Sequence, residues 1–263
     1  MRFRKRWAAA LPGELRVGSL GEVRSQGKWA DEIDNHTNLM NPEQAKEYLR
    51  LIIPEAAKEL VKFVAPELDE ISARISSYGL ASGRRKALGI VTQMGAELIA
   101  GAAQLFESER WYAGAALVRQ LIEVEYLLYL FASDPAEADL WLSSSPGEVK
   151  KMFSPGKMRE RTDGQFDADE YSTHCEFGGH PRLKGSVLLR ERMTPIRAEG
   201  EAVELFSPSA LWVDLSQHIE RLWKNFSRAV QVISPSNFYP ERFEEIESRL
   251  AEWRRKDPFP EQI

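Results

Sequence analysis

The segment Tyr171–Arg182, YSTHCEFGGHPR, gathers the scarcest chemical groups of the chain: its only cysteine, Cys175, and two of its four histidines, His174 and His180. Three kinds of chemistry suit these residues. With Asp169, Glu170 or Glu176 nearby, they supply the ligand types that hold zinc. The spacing argues against that use, because there is no C-x-x-C pair and no second histidine cluster, and adjacent His174 and Cys175 would diverge on a helix. No metal and no cofactor are therefore expected. A thiol nucleophile needs a base delivered by the fold rather than by adjacency, and a lone cysteine in a helical protein commonly serves as a small buried hydrophobe. The third use is a helix end that presents histidines. Asp167 or Asp169 caps a short helix, Tyr171 and His174 sit three apart on it, Gly178-Gly179 ends it, and His180-Pro181 leads out in extended form. His180, held on a turn by proline, is then a candidate acid–base group, although the same position suits a histidine that merely caps a helix C-terminus. It ranks above His174 as the functional candidate.

A second set of chemical groups lies in ALVRQLIEVEYLLYL. On a helix, Tyr112, Arg119, Glu123 and Tyr126 fall in one stripe, with Arg119 and Glu123 four apart and able to pair. The surrounding residues are almost all apolar, so the helix belongs at the centre of a bundle. Charges so placed are costly unless paired and further hydrogen-bonded. Two readings follow: a structural ion pair that orients one helix against another, or a polar pocket in which Arg119 holds an anion while Glu123 orients a base.

The elements that must position these groups all have helical periodicity. Asn41-Pro42-Glu43-Gln44 reads as a helix start, and an apolar face continues across Pro54 and Pro66 to about Tyr78-Gly79, which predicts a kinked helix. A second helix is expected from Arg84 to Phe106, with Gly89, Gly95 and Gly101 allowing close approach by a neighbour. The stretch from Trp111 to Ser133 gives a third, and a short helix follows Asp134-Pro135 through Trp141 and Leu142. Residues 143 to 168 read as loop with short helical turns. SVLLRERM and EAVELF, around Ala198-Glu199-Gly200, are either short strands or irregular packing. Ser207-Pro208 starts a long helix ending at Ser234-Pro235, and Phe243, Ile246, Leu250 and Trp253 mark a last amphipathic one. The expected class is all-α: a helical bundle with a long loop, or a small irregular or short-strand insertion, between the central and C-terminal helices. The expected organisation is a basic, loosely ordered leader over 1–40, a bundle over 41–235 and a docked amphipathic helix over 236–263.

Composition sets outer bounds. A chain of 263 residues with 43% hydrophobic and 29% charged residues suits a sizeable globular core. A net charge of −5 disfavours general electrostatic capture of nucleic acid, although the first thirty residues are locally basic. The apolar run after Trp7 stops at Pro12, too short for a signal peptide, and no stretch is long enough for a membrane span. A cytoplasmic protein without membrane partners is the expectation. His218 shares a face with core positions and reads as a packing histidine, and His36 reads as a loop residue.

Arg119-x-x-x-Glu123 on a buried helix, then Asp134-Pro135, Tyr171 and His180-Pro181, resembles a group of bacterial all-helical proteins likened to the HEPN superfamily of helical bundles. The resemblance spans roughly residues 85 to 235. It implies that Arg, Glu, Tyr and His converge between helices, that the partner is RNA or a nucleotide, that the protein acts as a homodimer, and that its role is that of a stress or defence effector, as in RNA-cleaving members. There an Arg is followed a few residues later by a His on the same helix, whereas here Glu123 follows Arg119, and His180 precedes Arg182. Carried over by residue, the resemblance gives Arg119 as anion clamp, His180 as acid–base group, and Glu123 and Tyr171 as orienting groups. The rival expectation is a non-catalytic interaction protein that docks a partner through the C-terminal helix, where Trp253 sits beside Arg254, Arg255 and Lys256.

Overall fold

The computed structural model describes residues 53–77, 83–162, 164–189, 208–235 and 240–256, and among these every regular element is helical, with no strand. In chain order they are α1 (Ile53–Ser77), α2 (Gly83–Glu107), α3 (Trp111–Ser133), α4 (Ala136–Ser143), α5 (Pro146–Met152), α6 (Pro155–Glu160) and α7 (Ala168–His174), then α8 (Pro208–Ile233) and α9 (Pro240–Lys256). A π-helical turn, Cys175–Gly179, follows α7, and a 3₁₀ turn, Leu183–Leu188, follows that. The leader, the cap at Asn41, His36 and the segment around Gly200 lie outside the described residues.

Four long helices form the bundle: α1 packs on α2, α2 on α3, α3 on α8, and α8 back on α1, with α2 and α8 also touching across the middle. The chain passes through Pro66 without leaving α1. Pro66 faces solvent, where water can satisfy the carbonyl left without its N–H donor, while Val64, Leu68, Ile71 and Ile75 stay fully buried on the other face. Glycines in α2 do permit close approach. A Cβ on Gly95 would stand 2.7 Å from a Leu222 methyl of α8, and one on Gly89 would stand 2.9 Å from the Ser72 carbonyl of α1.

α3 is apolar all round because it is covered from two sides. Val118, Leu121, Leu128 and Phe131 join the main core with α1, α2 and α8. Ile122, Tyr126 and Leu130 face the other way and meet Phe153, Met158 and Phe166 of the insertion in a second, smaller cluster. The segment 143–168, expected as loop with short helical turns, holds two short helices laid on α3, each begun by a Ser-Pro pair; Ser145 and Glu148 form a reciprocal capping box on the first, and Ser154 makes no side-chain cap on the second.

Of the two readings of SVLLRERM, short strand or irregular packing, the described part does not form the strand: Ser186 to Leu188 is 3₁₀ helix, its N–H groups bonding locally rather than to a partner strand. One expectation is corrected. Trp253 is not an exposed docking residue: it is 2% exposed, and it shares the main core with Phe243, Ile246 and Leu250 of α9. Burying an aromatic of this size is worth about 1.5–3 kcal/mol, so α9 uses that face to join the bundle.

Candidate functional site

The 168–180 segment is placed by its own local chemistry. Asp167, rather than Asp169, caps α7 by accepting the Asp169 backbone N–H. The helix then widens into the π turn, closed by the His180 N–H on the Cys175 carbonyl at 3.1 Å. That turn presses Gly178 and Gly179 onto α3. A Cβ on Gly178 would lie 2.7 Å from the Ala115 carbonyl carbon, and one on Gly179 would lie 2.3 Å from Arg119 Cδ. Only glycines let the segment sit this close.

Arg119, Glu123 and Tyr171 are brought together. Arg119 Nη2 donates to Glu123 Oε1 at 2.5 Å and to the Tyr171 hydroxyl at 2.6 Å, and that hydroxyl donates to the same Glu123 oxygen at 2.9 Å. The guanidinium also lies 5.4 Å from the Tyr171 ring centroid. Burial opposes its charge, but the Cys175 side chain, Glu123 and Tyr171 outweigh that and raise the Arg119 pKa. Burial together with Glu123 pushes the Tyr171 phenol well above its ordinary range, so it stays a neutral donor. His180 is exposed at the rim, next in sequence to the glycine that abuts Arg119. Among the described residues, no hydrogen bond joins its imidazole to Arg119 or Glu123. The two stripe tyrosines also face the insertion: the Tyr126 ring lies tilted against Phe166, and Tyr112 lies against Gly185.

His174 turns the opposite way, into a buried polar cluster between α3, α7 and α8. His174 Nε2 and His218 Nε2 are 3.2 Å apart. Asp214 Oδ1 is 3.5 Å from the first and 3.6 Å from the second. His218 Nδ1 meets Glu125 Oε1 at 2.6 Å, with both side chains fully buried. Arg221 grips Glu170 with a two-pronged fork at 2.6 and 3.0 Å, and its Nε is 3.1 Å from Glu125 Oε2. Asn225 Nδ2 donates to the Glu125 backbone carbonyl.

The electrostatics follow from these contacts. Burial pushes the His218 imidazolium pKa down, and the 2.7 Å approach of Arg221 Nη2 adds to that, yet Glu125 and Asp214 outweigh both and raise it to about 10. The histidines and their charge hold the Asp214 carboxyl far below its usual range despite burial. Glu170 is lowered the same way, chiefly by Arg221.

Compared with protein-family models, with curated proteins and with solved structures, the chain matches none. Its function must be read from its own geometry.

His174, Cys175 and His180, weighed together above as ligands, point three ways: inward to α8, beside Arg119, and out to solvent. His218 is buried and partnered, as a packing histidine would be, but its partners are the side chains of Glu125, His174 and Arg221 rather than backbone. The residues that sequence reasoning passed over are Glu125, Asp214 and Arg221. A signal existed: Asp214, His218 and Arg221 recur at helical spacing among Leu211, Leu215 and Leu222, which puts polar groups on the core face of α8.

Proposed function

We propose that this bundle recognises a phosphate group, carried by RNA or a nucleotide, at the open edge of Arg119. Glu123 and Tyr171 orient the guanidinium, and His180 stands at the rim as the acid–base group. One observation supports this reading above others. Nη2 alone makes the bonds to Glu123 and Tyr171, the guanidinium has a further hydrogen bond with the Cys175 side chain, and among the described residues no carboxylate pairs with Nη1. An arginine fixed by one edge offers the other to an incoming oxyanion with little further loss of freedom.

On RNA the corresponding reaction is transphosphorylation. The 2′-oxygen bonds to phosphorus and gives its proton to the His180 imidazole, the bond from phosphorus to the 5′-oxygen breaks, and that oxygen takes a proton from solvent. Arg119 stabilises the charge that builds on the phosphoryl oxygens. The homodimer implied by the HEPN resemblance belongs to the same proposal, and light scattering on the full chain tests it.

Labelled single-stranded RNA and a mononucleotide, titrated separately against the full chain, test the site. Arg119→Ala is expected to weaken binding of whichever ligand is recognised by at least tenfold, while His180→Ala keeps binding and loses cleavage. Unchanged binding by a folded Arg119→Ala variant, or no binding of either ligand by the wild type, overturns the proposal.

A second reading has its own support. Glu123 Oε1 accepts from both Arg119 and Tyr171, a closed arrangement that suits a latch holding α7 on α3 in a non-catalytic interaction protein. Under that reading Tyr171→Phe lowers stability and changes no ligand binding.

A further inference from the structure

The buried cluster beneath α7 stands apart from the phosphate reading and has a geometry that hydrogen bonding alone explains poorly. Three ligand-type atoms converge: His174 Nε2, His218 Nε2 and Asp214 Oδ1, separated by 3.2, 3.5 and 3.6 Å. The last two distances are too long for strong hydrogen bonds. The first brings two imidazole nitrogens together, so they cannot both carry protons pointing along that line. A triangle with these sides, however, has a circumradius of about 2.0 Å, the length of a zinc–nitrogen or zinc–oxygen bond. The spacing of the three atoms suits one ion; Arg221 Nη2 lies 3.4 Å from His218 Nε2.

The surroundings have the composition of a metal site. Glu125 faces His218 Nδ1 at 2.6 Å, the carboxylate–histidine support that metal-bound imidazoles usually have, and an ion at Nε2 would take the place of the proton there. Asp214 Oδ2 is buried with no hydrogen-bond partner among the described residues, an unexplained polar atom in a side chain only 5% exposed as a residue. Glu170 presents a carboxylate oxygen within 4.8 Å of a ring nitrogen of each histidine; Arg221 holds both of its oxygens, so Glu170 serves as fourth donor once one of those two bonds gives way. Among the described residues of the cluster, the carboxylates of Glu125, Asp214 and Glu170 outnumber the guanidinium of Arg221, which favours a cation between them.

We propose that His174, His218 and Asp214, with Glu170 as fourth donor, bind a single divalent transition-metal ion of the zinc type. The donor set is nitrogen and oxygen only, which suits Zn²⁺ or Fe²⁺ and disfavours Cu⁺. This departs from the expectation of no metal, because the ligands come from two helices distant in sequence rather than from one motif.

The test uses the full chain, stripped with a chelator and titrated with Zn²⁺ and, separately, Co²⁺. One ion per chain is expected, with the visible absorption of four-coordinate Co²⁺, and X-ray absorption on the Zn²⁺ form is expected to show imidazole and oxygen ligands. Asp214→Asn and His218→Gln are expected to abolish stoichiometric binding. Glu125→Gln, which leaves the ligands in place, is expected to weaken it about 10- to 100-fold. Absence of stoichiometric binding by the wild type overturns the proposal. So does a sulfur ligand in the absorption spectrum, which would move the ion to Cys175, and so does unaltered binding in folded Asp214→Asn. Because the spectroscopy reads the wild type, the proposal stays testable even where a variant does not fold. Arg119→Ala is expected to leave metal binding unchanged, which separates this site from the phosphate site.

Discussion

Glu125 and His218, 93 positions apart in the chain, meet at 2.6 Å with neither side chain reached by solvent. The contact ties α3 to α8 at the point where the bundle is driest. Removing Glu125 takes from His218 Nδ1 and from Arg221 Nε the carboxylate that faces both inside the bundle. Glu125→Ala is therefore expected to cost about 3–5 kcal/mol, measured by denaturant unfolding of the full chain. Lys157→Ala, which breaks an ion pair more than half exposed on both sides, is expected to cost less than about 1 kcal/mol. Similar losses from the two changes would mean that the buried cluster is open to water.

Gly178 should tolerate no side chain. Its Cβ would meet α3 backbone at Ala115 and Ala116, which cannot swing aside as a flexible side chain could. Gly178→Ala is expected to destabilise the protein by about 1–3 kcal/mol, as overpacking does. Gly147, with open space around its Cβ and a place in helix α5, gives the opposite sign: Gly147→Ala is expected to stabilise by up to about 1 kcal/mol. Paired thermal melts check both, and a neutral Gly178→Ala would show that the π turn does not press on α3.

These glycines show which parts of the molecule were legible in the sequence. Helix order was legible, because α2, α3, α8 and α9 each carry a long apolar stripe, and their limits are set by Asp134-Pro135, Pro208 and Pro240 in plain view. The Arg119–Glu123 pair was legible for the same reason, since i and i+4 on one helix are neighbours whatever the tertiary fold. Tyr171, from α7, hydrogen-bonds to both. The Glu125–His218–Asp214 cluster was not legible as a unit: Glu125 lies on α3 and the other two on α8, and only the spacing of Asp214 and His218 along α8 shows in the sequence. Trp253 misled for a related reason. The basic residues after it suggest a surface helix, yet α9 buries one face while Arg254 reaches back to Glu220 from the other.

Trp253 also supports a quantitative test of α9. It is packed with Phe243, Ile246 and Leu250, and Trp223 Nε1 donates to Glu247 at 2.7 Å from the bundle side. Trp253→Ala is expected to cost about 3–5 kcal/mol, the usual loss for truncating a buried aromatic. Global unfolding at lower denaturant, with α8 amides losing hydrogen-exchange protection, is the expected readout. A change confined to residues after 240 would instead make α9 a separate, weakly attached element.

A pH effect follows from the capping box on α5. The Ser145 hydroxyl and backbone N–H both donate to the Glu148 carboxylate and lower its pKa. A carboxyl lowered in the folded state stabilises above its unfolded pKa, and the contribution fades as pH falls through the folded value. Ser145→Ala is expected to move the Glu148 titration upward, towards an ordinary glutamate, when followed by side-chain NMR. It should also remove the acid-side loss of α5 helicity attributable to this group. An unmoved Glu148 titration would mean that the cap does not persist in solution.

Arg119 and Tyr171 decide between a ligand site and a latch. The guanidinium donates to the hydroxyl and lies over the ring, so the two residues are coupled by geometry whatever their purpose. A double-mutant cycle with Arg119→Lys and Tyr171→Phe is expected to give an interaction energy of about 0.5–3 kcal/mol in stability. The same cycle run on RNA or nucleotide binding separates the readings. If Tyr171 acts by aiming Arg119 at phosphate, Tyr171→Phe weakens binding in the wild-type background and does nothing once Arg119 is lysine, because lysine has no planar fork to orient. If the pair is a latch, coupling is present in stability and absent in binding. Coupling in binding without coupling in stability would contradict both, since a hydroxyl that orients the guanidinium in the folded chain must also stabilise that fold.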